Sequence, residues 1–247
     1  MSRNRGRPTH DARTRLAPPK RNGSQAVDQI RSPGLLLRCR LWAAKIVYDL
    51  SFALLVRDAS WQDDLFASLA PKSGDRILGF GPGSSSSAIS LARRYPEATF
   101  VIVDSKWKAA ERMRLRALRK QVANVAVIQA SLAGKLPVNA SSFDAVICMF
   151  ALHHSAPDQK LDIVKEMTRV LRHGGTLRVI EFDKPENPGE RRILELARRL
   201  SGSPAVAPHF NGSWVDSLAR VGLSGTVRHS THSVGVGRIS IVKARKR

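Results

Sequence analysis

The stretch that most constrains this chain is DRILGFGPGSSSSAISLARRYPEATFVIVD, residues 75–104. Its first apolar run, Arg76 to Phe80, is bounded by turn formers, as a strand covered on both faces would be. Gly81-Pro82-Gly83 follows, then four serines and an apolar pattern at helical spacing through Ala88, Leu91 and Ala92. A second run, Thr99 to Val103, ends in Asp104. Strand, glycine turn, helix, strand and acid in that order predict a parallel βαβ crossover shaped for a nucleotide cofactor. The glycines let backbone approach a ligand closely, and the helix N-terminus offers unpaired N–H groups. The acid at the end of the second strand is placed to accept hydrogen bonds from ribose hydroxyls.

The rest of the chain extends the same alternation. Residues 1–33 mix Arg, Pro, Gly, Asn and Ser with few apolar side chains, which predicts a disordered basic N-terminal arm. From 34 to 70 the pattern turns helical: an apolar helix from Leu35 to Val56, then a second from Trp61 to Leu69, together a lid or lead-in. Residues 75–247 read as an α/β core. After Asp104 come a basic helix, Lys106 to Lys120, and a third strand, Asn124 to Gln129. A fourth strand spans Phe143 to Met149, a helix Pro157 to Leu171, and His173-Gly174-Gly175 reads as its stop and turn. The fifth strand is Leu177 to Phe182, followed by helices Glu190 to Leu200 and Ser213 to Val221. Two last alternating runs, Gly225 to His229 and Val236 to Val242, predict an antiparallel pair at the sheet edge. The expected fold is a doubly wound, mostly parallel α/β sheet closed by an antiparallel C-terminal β-hairpin.

Charge narrows the function classes by its placement. The formal net charge is +21. Residues 1–45, 105–120 and 228–247 hold the whole excess, at +9, +6 and +6, and the remainder is balanced. Two of these stretches are at the chain ends, where basic residues are ordinarily solvated or attract an anionic surface. No aromatic residue interleaves residues 1–34 to stack bases, so nucleic acid is not the expected partner. Cys39 and Cys148 are far apart and belong to no ligand-spaced cluster; Cys148, in an apolar run, reads as a small buried hydrophobe. His229-Ser230-Thr231-His232 has no matching acid or cysteine cluster, so no metal site is expected. No apolar run reaches the ~18–20 residues of a membrane span. The arm lacks the apolar core of a secretory signal, though its Arg-rich, acid-poor composition also matches a mitochondrial transit peptide; a cytoplasmic protein, peripheral to a membrane at most, is the expectation.

Several ordered motifs resemble one family. Tyr48-Asp49, Trp61, Leu69 and Gly74-Asp75-Arg76-Ile77-Leu78 lead into the Gly81-Pro82-Gly83 turn and Asp104. Leu136-Pro137 precedes Ser142-Phe143-Asp144-Ala145-Val146, and Ala151-Leu152-His153-His154 follows. Then come Glu166-Met167-Thr168-Arg169-Val170-Leu171-Arg172-His173-Gly174-Gly175 and Glu181-Phe182-Asp183-Lys184-Pro185. The set resembles the class I S-adenosylmethionine-dependent methyltransferases, nearest to the small-molecule branch of ubiquinone/menaquinone C-methyltransferases, and covers roughly Tyr48 to Val242. The resemblance implies a Rossmann-like sheet and S-adenosyl-L-methionine as cofactor. It implies binding of that cofactor by Gly81, Pro82, Gly83, Ser84, Asp104, Ser105, Ser131, Leu132 and Met149. Three positions depart from the family pattern: Gly79 stands where an acid is usual, Ser85 where a third glycine is, and Ser131 or Leu132 where an acid often meets adenine.

Methyl transfer from a sulfonium asks the protein mainly for positioning and exclusion of water. A base is required only if the acceptor must lose a proton. His153 and His154, leaving the fourth strand, are the candidates for that base, with loop residues that shape the pocket as the other reading. Tyr48, in the lid, is a further catalytic candidate through contact with cofactor or substrate, with packing as its other reading. The expected acceptor is a small or lipid-like molecule, and the arm can bring the chain to an anionic membrane. Two other functions use the same features. A methyltransferase-fold binding scaffold with basic arms would follow from the three departures, and a nicotinamide-dependent oxidoreductase could use Gly81, Gly83 and Asp104.

Overall fold

The computed structural model describes residues 59–81, 84–132, 134–153, 155–201, 207–234 and 237–247. The expected arm, the Leu35–Val56 helix, Tyr48, Pro82, Gly83 and His154 therefore lie outside the described residues. The elements are α1 (Ala59–Leu69), β1 (Arg76–Phe80), α2 (Ser84–Arg94), β2 (Thr99–Asp104), α3 (Trp107–Arg119) and β3 (Val125–Gln129). They continue with β4 (Phe143–Met149), α4 (Pro157–Val170), β5 (Leu171–Phe182), α5 (Pro188–Ser201) and α6 (Ala207–Asn211). A 3-10 turn (Ser213–Val215), α7 (Asp216–Ala219), β6 (Leu223–Val234) and β7 (Gly237–Lys246) complete the chain.

One seven-stranded sheet runs in the order β3-β2-β1-β4-β5-β7-β6. The first five strands pair in parallel, and β7 pairs antiparallel with both β5 and β6. The period of two along each strand sorts side chains onto two covered faces. On one face Leu78, Phe80, Val101, Val103, Val146 and Cys148 pack with Ile163, Val164 and Met167 of α4 and with Trp214. On the other, Ile77, Phe100, Ala145, Ile147 and Met149 meet Trp61 and Leu65 of α1 and Leu91 of α2. Cys148 is fully buried, as its apolar run predicted.

Two of the motif segments that carry the resemblance act as braces. Glu166 accepts the Leu136 N–H through Oε1 (2.7 Å) and Arg169 Nε through Oε2 (2.7 Å), while Arg169 donates to the Val138 carbonyl (3.0 Å). These bonds pin the Leu136–Pro137 loop against α4. Asp144 accepts the Arg76 N–H (2.7 Å) and pairs with Arg172 (2.8 Å), holding the start of β1 to β4 and β5.

Three elements differ from expectation. The His173-Gly174-Gly175 turn lies inside β5, which begins at Leu171: pairing slips between Phe143↔Leu171 and Ala145↔Thr176, and Gly174 takes φ +72°. The turn persists as a bulge because strand pairing resumes on both sides of it. The single helix expected over Ser213 to Val221 is a 3-10 turn followed by the four-residue α7. Buried Trp214 and Leu218 fix that segment more strongly than helical propensity does. The closing hairpin forms, but its strands run to twelve and ten residues and β7 is interior, leaving β6 at the edge.

Candidate active site

The strand order reverses direction between β1 and β4, and ligands of open α/β sheets bind outside the carboxyl ends of the strands at such a point. Gly81, the residue after β1, has φ +98°, and a Cβ there would meet the Met149 carbonyl oxygen at 2.4 Å and the Ala151 Cβ at 3.0 Å. Glycine is required by this contact and by the left-handed backbone together. The contact brings the exits of β1 and β4 together at the mouth of the site. Met149 reaches the site through its carbonyl only; its side chain is buried in the core on the α1 side.

Asp104 closes β2 and is largely buried. Its Oδ1 accepts the Lys106 N–H (2.8 Å), which orients the carboxylate and leaves Oδ2 without a partner among the described residues. Ser105 is exposed beside it. Across β3, Ser131 is exposed and Leu132 is half-buried, packed on the α4-side core. Ser84 opens α2 directly after the glycine turn. One turn in, the Ser87 hydroxyl is fully buried with no hydrogen-bond partner among the described residues. An open carboxylate oxygen at the β2 exit, a buried hydroxyl near the start of α2 with no partner among the described residues and a mandatory glycine at the β1 exit fit the ribose and amino-acid ends of S-adenosyl-L-methionine.

A second cluster fills the exits of β4 and β5. Glu181, fully buried in β5, accepts the Leu152 N–H (2.6 Å) through Oε1 and holds His153 Nδ1 at 2.8 Å through Oε2. Burial would raise the Glu181 carboxyl, but the His153 imidazole and its hydrogen bond outweigh that and bring it below the usual carboxylate range. The His153 ring is buried edge-on to Phe150 and Phe182, with His209 at 6.1 Å between centroids.

His209, on α6, donates from Nδ1 to the Phe182 carbonyl (2.6 Å) and stacks on Trp214. Burial pushes its pKa down to about 4, so the ring is neutral at pH 7. Lys160 is buried nearby, its pKa lowered by burial against the opposing pull of Glu181. Just beyond β5, Asp183 receives Arg228 Nε (2.6 Å), the Ser240 hydroxyl and Trp214 Nε1 (3.3 Å).

The structure thus brings Gly81, Asp104, Met149 and His153 to the carboxyl end of the sheet and sets Ser131 at the rim. Glu181 had been visible only as part of a motif, although an acid inside an otherwise apolar strand was a sufficient signal. His209 carried no signal, because it sits in a segment whose sequence reads as a connection between helices. Among the described residues no cluster of ligating side chains could hold a metal ion.

Comparison with known proteins agrees with this geometry. Residues 77–175 match the family described as "Methyltransferase domain". The ubiquinone/menaquinone biosynthesis C-methyltransferase UbiE of Syntrophotalea carbinolica is 33% identical over 139 residues, 56% of this chain and 56% of that protein. The 27-O-demethylrifamycin SV methyltransferase of Amycolatopsis mediterranei is 31% identical over 147 residues, 58% of this chain and 53% of that protein. The chain therefore spans little more than half the length of these curated relatives. The crystal structure of a SAM-dependent methyltransferase from Aquifex aeolicus superposes with a TM-score of 0.57 at 17% identity, covering 75% of this chain and 89% of that one. The nicotinamide reading gains no support from any of these matches. Residues 77–175 are thus similar to a methyltransferase domain, and over about half its length the chain is similar to proteins named as ubiquinone/menaquinone biosynthesis C-methyltransferases.

Proposed function

We propose that this chain transfers a methyl group from S-adenosyl-L-methionine to a small-molecule or lipid-like acceptor. The observation that carries the reading is the β1–β4 switch point, where Gly81 is sterically obligatory and Asp104 presents one unengaged carboxylate oxygen. Asp104 would hold the ribose hydroxyls, Ser87 and the backbone after Gly81 the amino-acid end, and Ser131 or Leu132 the adenine rim. The cofactor supplies an already activated methyl group, so the protein's part is alignment and dryness. The aromatic wall of Phe150, His153 and Phe182 suits an apolar acceptor beside that methyl group. Relatives named for quinone and rifamycin substrates support an acceptor of this class. Glu181 fixes the His153 ring, which makes His153 the group placed to take a proton where an acceptor hydroxyl must lose one. On the family resemblance alone, His154 is assigned beside the acceptor and Tyr48 to contact with cofactor or acceptor. The protein would work in the cytoplasm or at an anionic membrane face, with the basic N-terminal residues as the attraction.

Calorimetry with S-adenosylhomocysteine tests the cofactor half: binding is expected, and Asp104→Ala should weaken it by about 10- to 100-fold. Binding unchanged in that variant would sink the site assignment, and no binding at all would return the scaffold reading. Incubating the protein with labelled S-adenosylmethionine and either extracted lipids or total RNA tests the acceptor half. Label in RNA and none in lipid would show the acceptor class to be wrong.

A further inference from the structure

Helix α3 carries a surface that methyl transfer does not use. Its buried side is narrow: Ala110, Met113 and Ala117 face the sheet. The opposite side should be uniformly polar, yet Trp107, Leu115 and Leu118 are 58, 43 and 75% exposed. At ~100° per residue these three fall within an arc of about 80°, an apolar stripe interrupted by the half-exposed Glu111, which lies between Trp107 and Leu115 and is engaged by Arg114. Next to the stripe run Lys108, Arg112, Arg116 and Arg119, all exposed and none in an ion pair among the described residues. On its other flank Arg114 is tied to Glu111 (3.2 Å) and to the Val127 carbonyl (3.1 Å). Glu111 is the one acid of the helix.

In water this face is unfavourable twice. Lys108, Arg112 and Arg116 are successive i,i+4 neighbours of like charge, each pair destabilising the helix by about 0.2–0.5 kcal/mol. Beside them three large apolar side chains remain wet. A partner that relieves both must offer anionic groups in a plane and hydrocarbon directly beneath them. Nucleic acid supplies the first but gives Leu115 and Leu118 nothing to enter. An anionic lipid bilayer supplies both, and a basic helix with an apolar stripe is the form that lies in its interface.

We propose that α3 is a bilayer-docking face: Trp107, Leu115 and Leu118 enter the headgroup–acyl boundary while Lys108, Arg112, Arg116 and Arg119 pair with lipid phosphates. This deepens the membrane part of the function proposed above by giving it a site in the folded domain, separate from the basic chain ends. It also sets the mouth of the cofactor site near the membrane, because Asp104 leads through Ser105 and Lys106 directly into α3.

The test uses the full chain, vesicles of phosphatidylcholine with and without about one-third phosphatidylglycerol, and brominated acyl chains as depth quenchers of tryptophan emission. Trp107→Phe identifies the Trp107 contribution. Binding to the anionic vesicles with quenching of Trp107 is expected. Leu115→Ser with Leu118→Ser should weaken partitioning at least about tenfold, and Arg112→Glu with Arg116→Glu should remove most of its salt dependence. Melting curves and S-adenosylhomocysteine affinity serve as folding controls, and both should match the parent chain. Anionic-vesicle binding unchanged by the leucine variants and without Trp107 quenching would assign the attraction to the chain ends and overturn the proposal. No vesicle binding at low salt, or binding to poly(U) lost in the arginine variant without any vesicle binding, would overturn it equally. Cofactor binding is measured separately, so failure of the docking face and failure of the methyltransferase reading remain distinguishable.

Discussion

Gly81 and His209 show how single residues set this site. At Gly81 a methyl group would sit 2.4 Å from the Met149 carbonyl oxygen on backbone that side chains rarely adopt. We expect Gly81→Ala to destabilise the fold by about 2–4 kcal/mol and to abolish S-adenosylhomocysteine binding, as read by urea unfolding and calorimetry. At His209 the consequence is pH dependence. Its folded pKa, about 4, lies below the unfolded value of 6.5, so the unfolded chain binds the proton first as pH falls. Stability is complete above pH 6.5 and declines towards pH 4, with about 2 kcal/mol lost by pH 5. The carboxylates lowered by their partners, Glu181 and Asp183, lose their contributions only below the ordinary carboxylate range, so the two effects separate. Urea titrations at pH 7 and pH 5 should show this loss in the parent chain and a much smaller one in His209→Asn. A flat parent profile would contradict the buried neutral ring. Gly81 was legible in the sequence because its role is conformational and local. His209 was not, because its burial depends on Phe182, distant in sequence, and on Trp214 in a following segment that carries no clear strand or helix pattern.

At the level of elements, the sequence period carried the parallel strands well and the C-terminal third less well. The strands β1 to β4 are short apolar runs between turn residues, and their spans agree with the apolar pattern to within a residue. In β5 the Gly174-Gly175 signal is a true turn in conformation, yet strand pairing on either side absorbs it. That outcome depends on β4 and could not be read locally. Charged residues inside strands were the other difficulty. Arg178 and Glu181 interrupt the apolar pattern of β5, and each is satisfied by partners far away in sequence, Ser68 and His153. The hairpin is anchored in the same manner: Arg228 on β6 reaches Asp183 through Nε (2.6 Å) and the Gly212 carbonyl through a terminal nitrogen (3.0 Å). Removing it would leave a buried carboxylate without its cation. Arg228→Ala is therefore expected to cost about 2 kcal/mol in urea unfolding, moderated because the guanidinium is partly in solvent. Arg228→Lys should recover only part, since an ammonium cannot reproduce the fork.

For the molecule as a whole, the cofactor and the fold should be thermodynamically linked. A ligand that binds only the folded chain adds about 2.7 kcal/mol at a concentration of a hundred times its Kd. S-adenosylhomocysteine should raise the Tm of the parent protein in a concentration-dependent manner, and that rise should vanish in Asp104→Ala while the unliganded Tm changes little. A large fall in the unliganded Tm would instead make Asp104 a structural residue. The legible part of the whole was its plan, an α/β sheet with a site at the β1 exit. The polar cluster between β4, β5 and α6 stayed hidden because it is assembled from four separate segments, none of which contains a recognisable pattern alone.

The interior position of β7 has a consequence for biosynthesis. Residues 176–182 of β5 find their second pairing partner only in residues 239–245. As the chain leaves the ribosome, β1 to β5 can align while the outer edge of β5 stays open, presenting unpaired backbone groups and the apolar side chains Leu177, Val179 and Ile180. A nascent chain stalled before Gly237 would hold that open edge for as long as the stall lasts, which makes it a natural client for chaperones and a seed for aggregation. Synthesis must pass the final strand before the middle of the sheet is sealed.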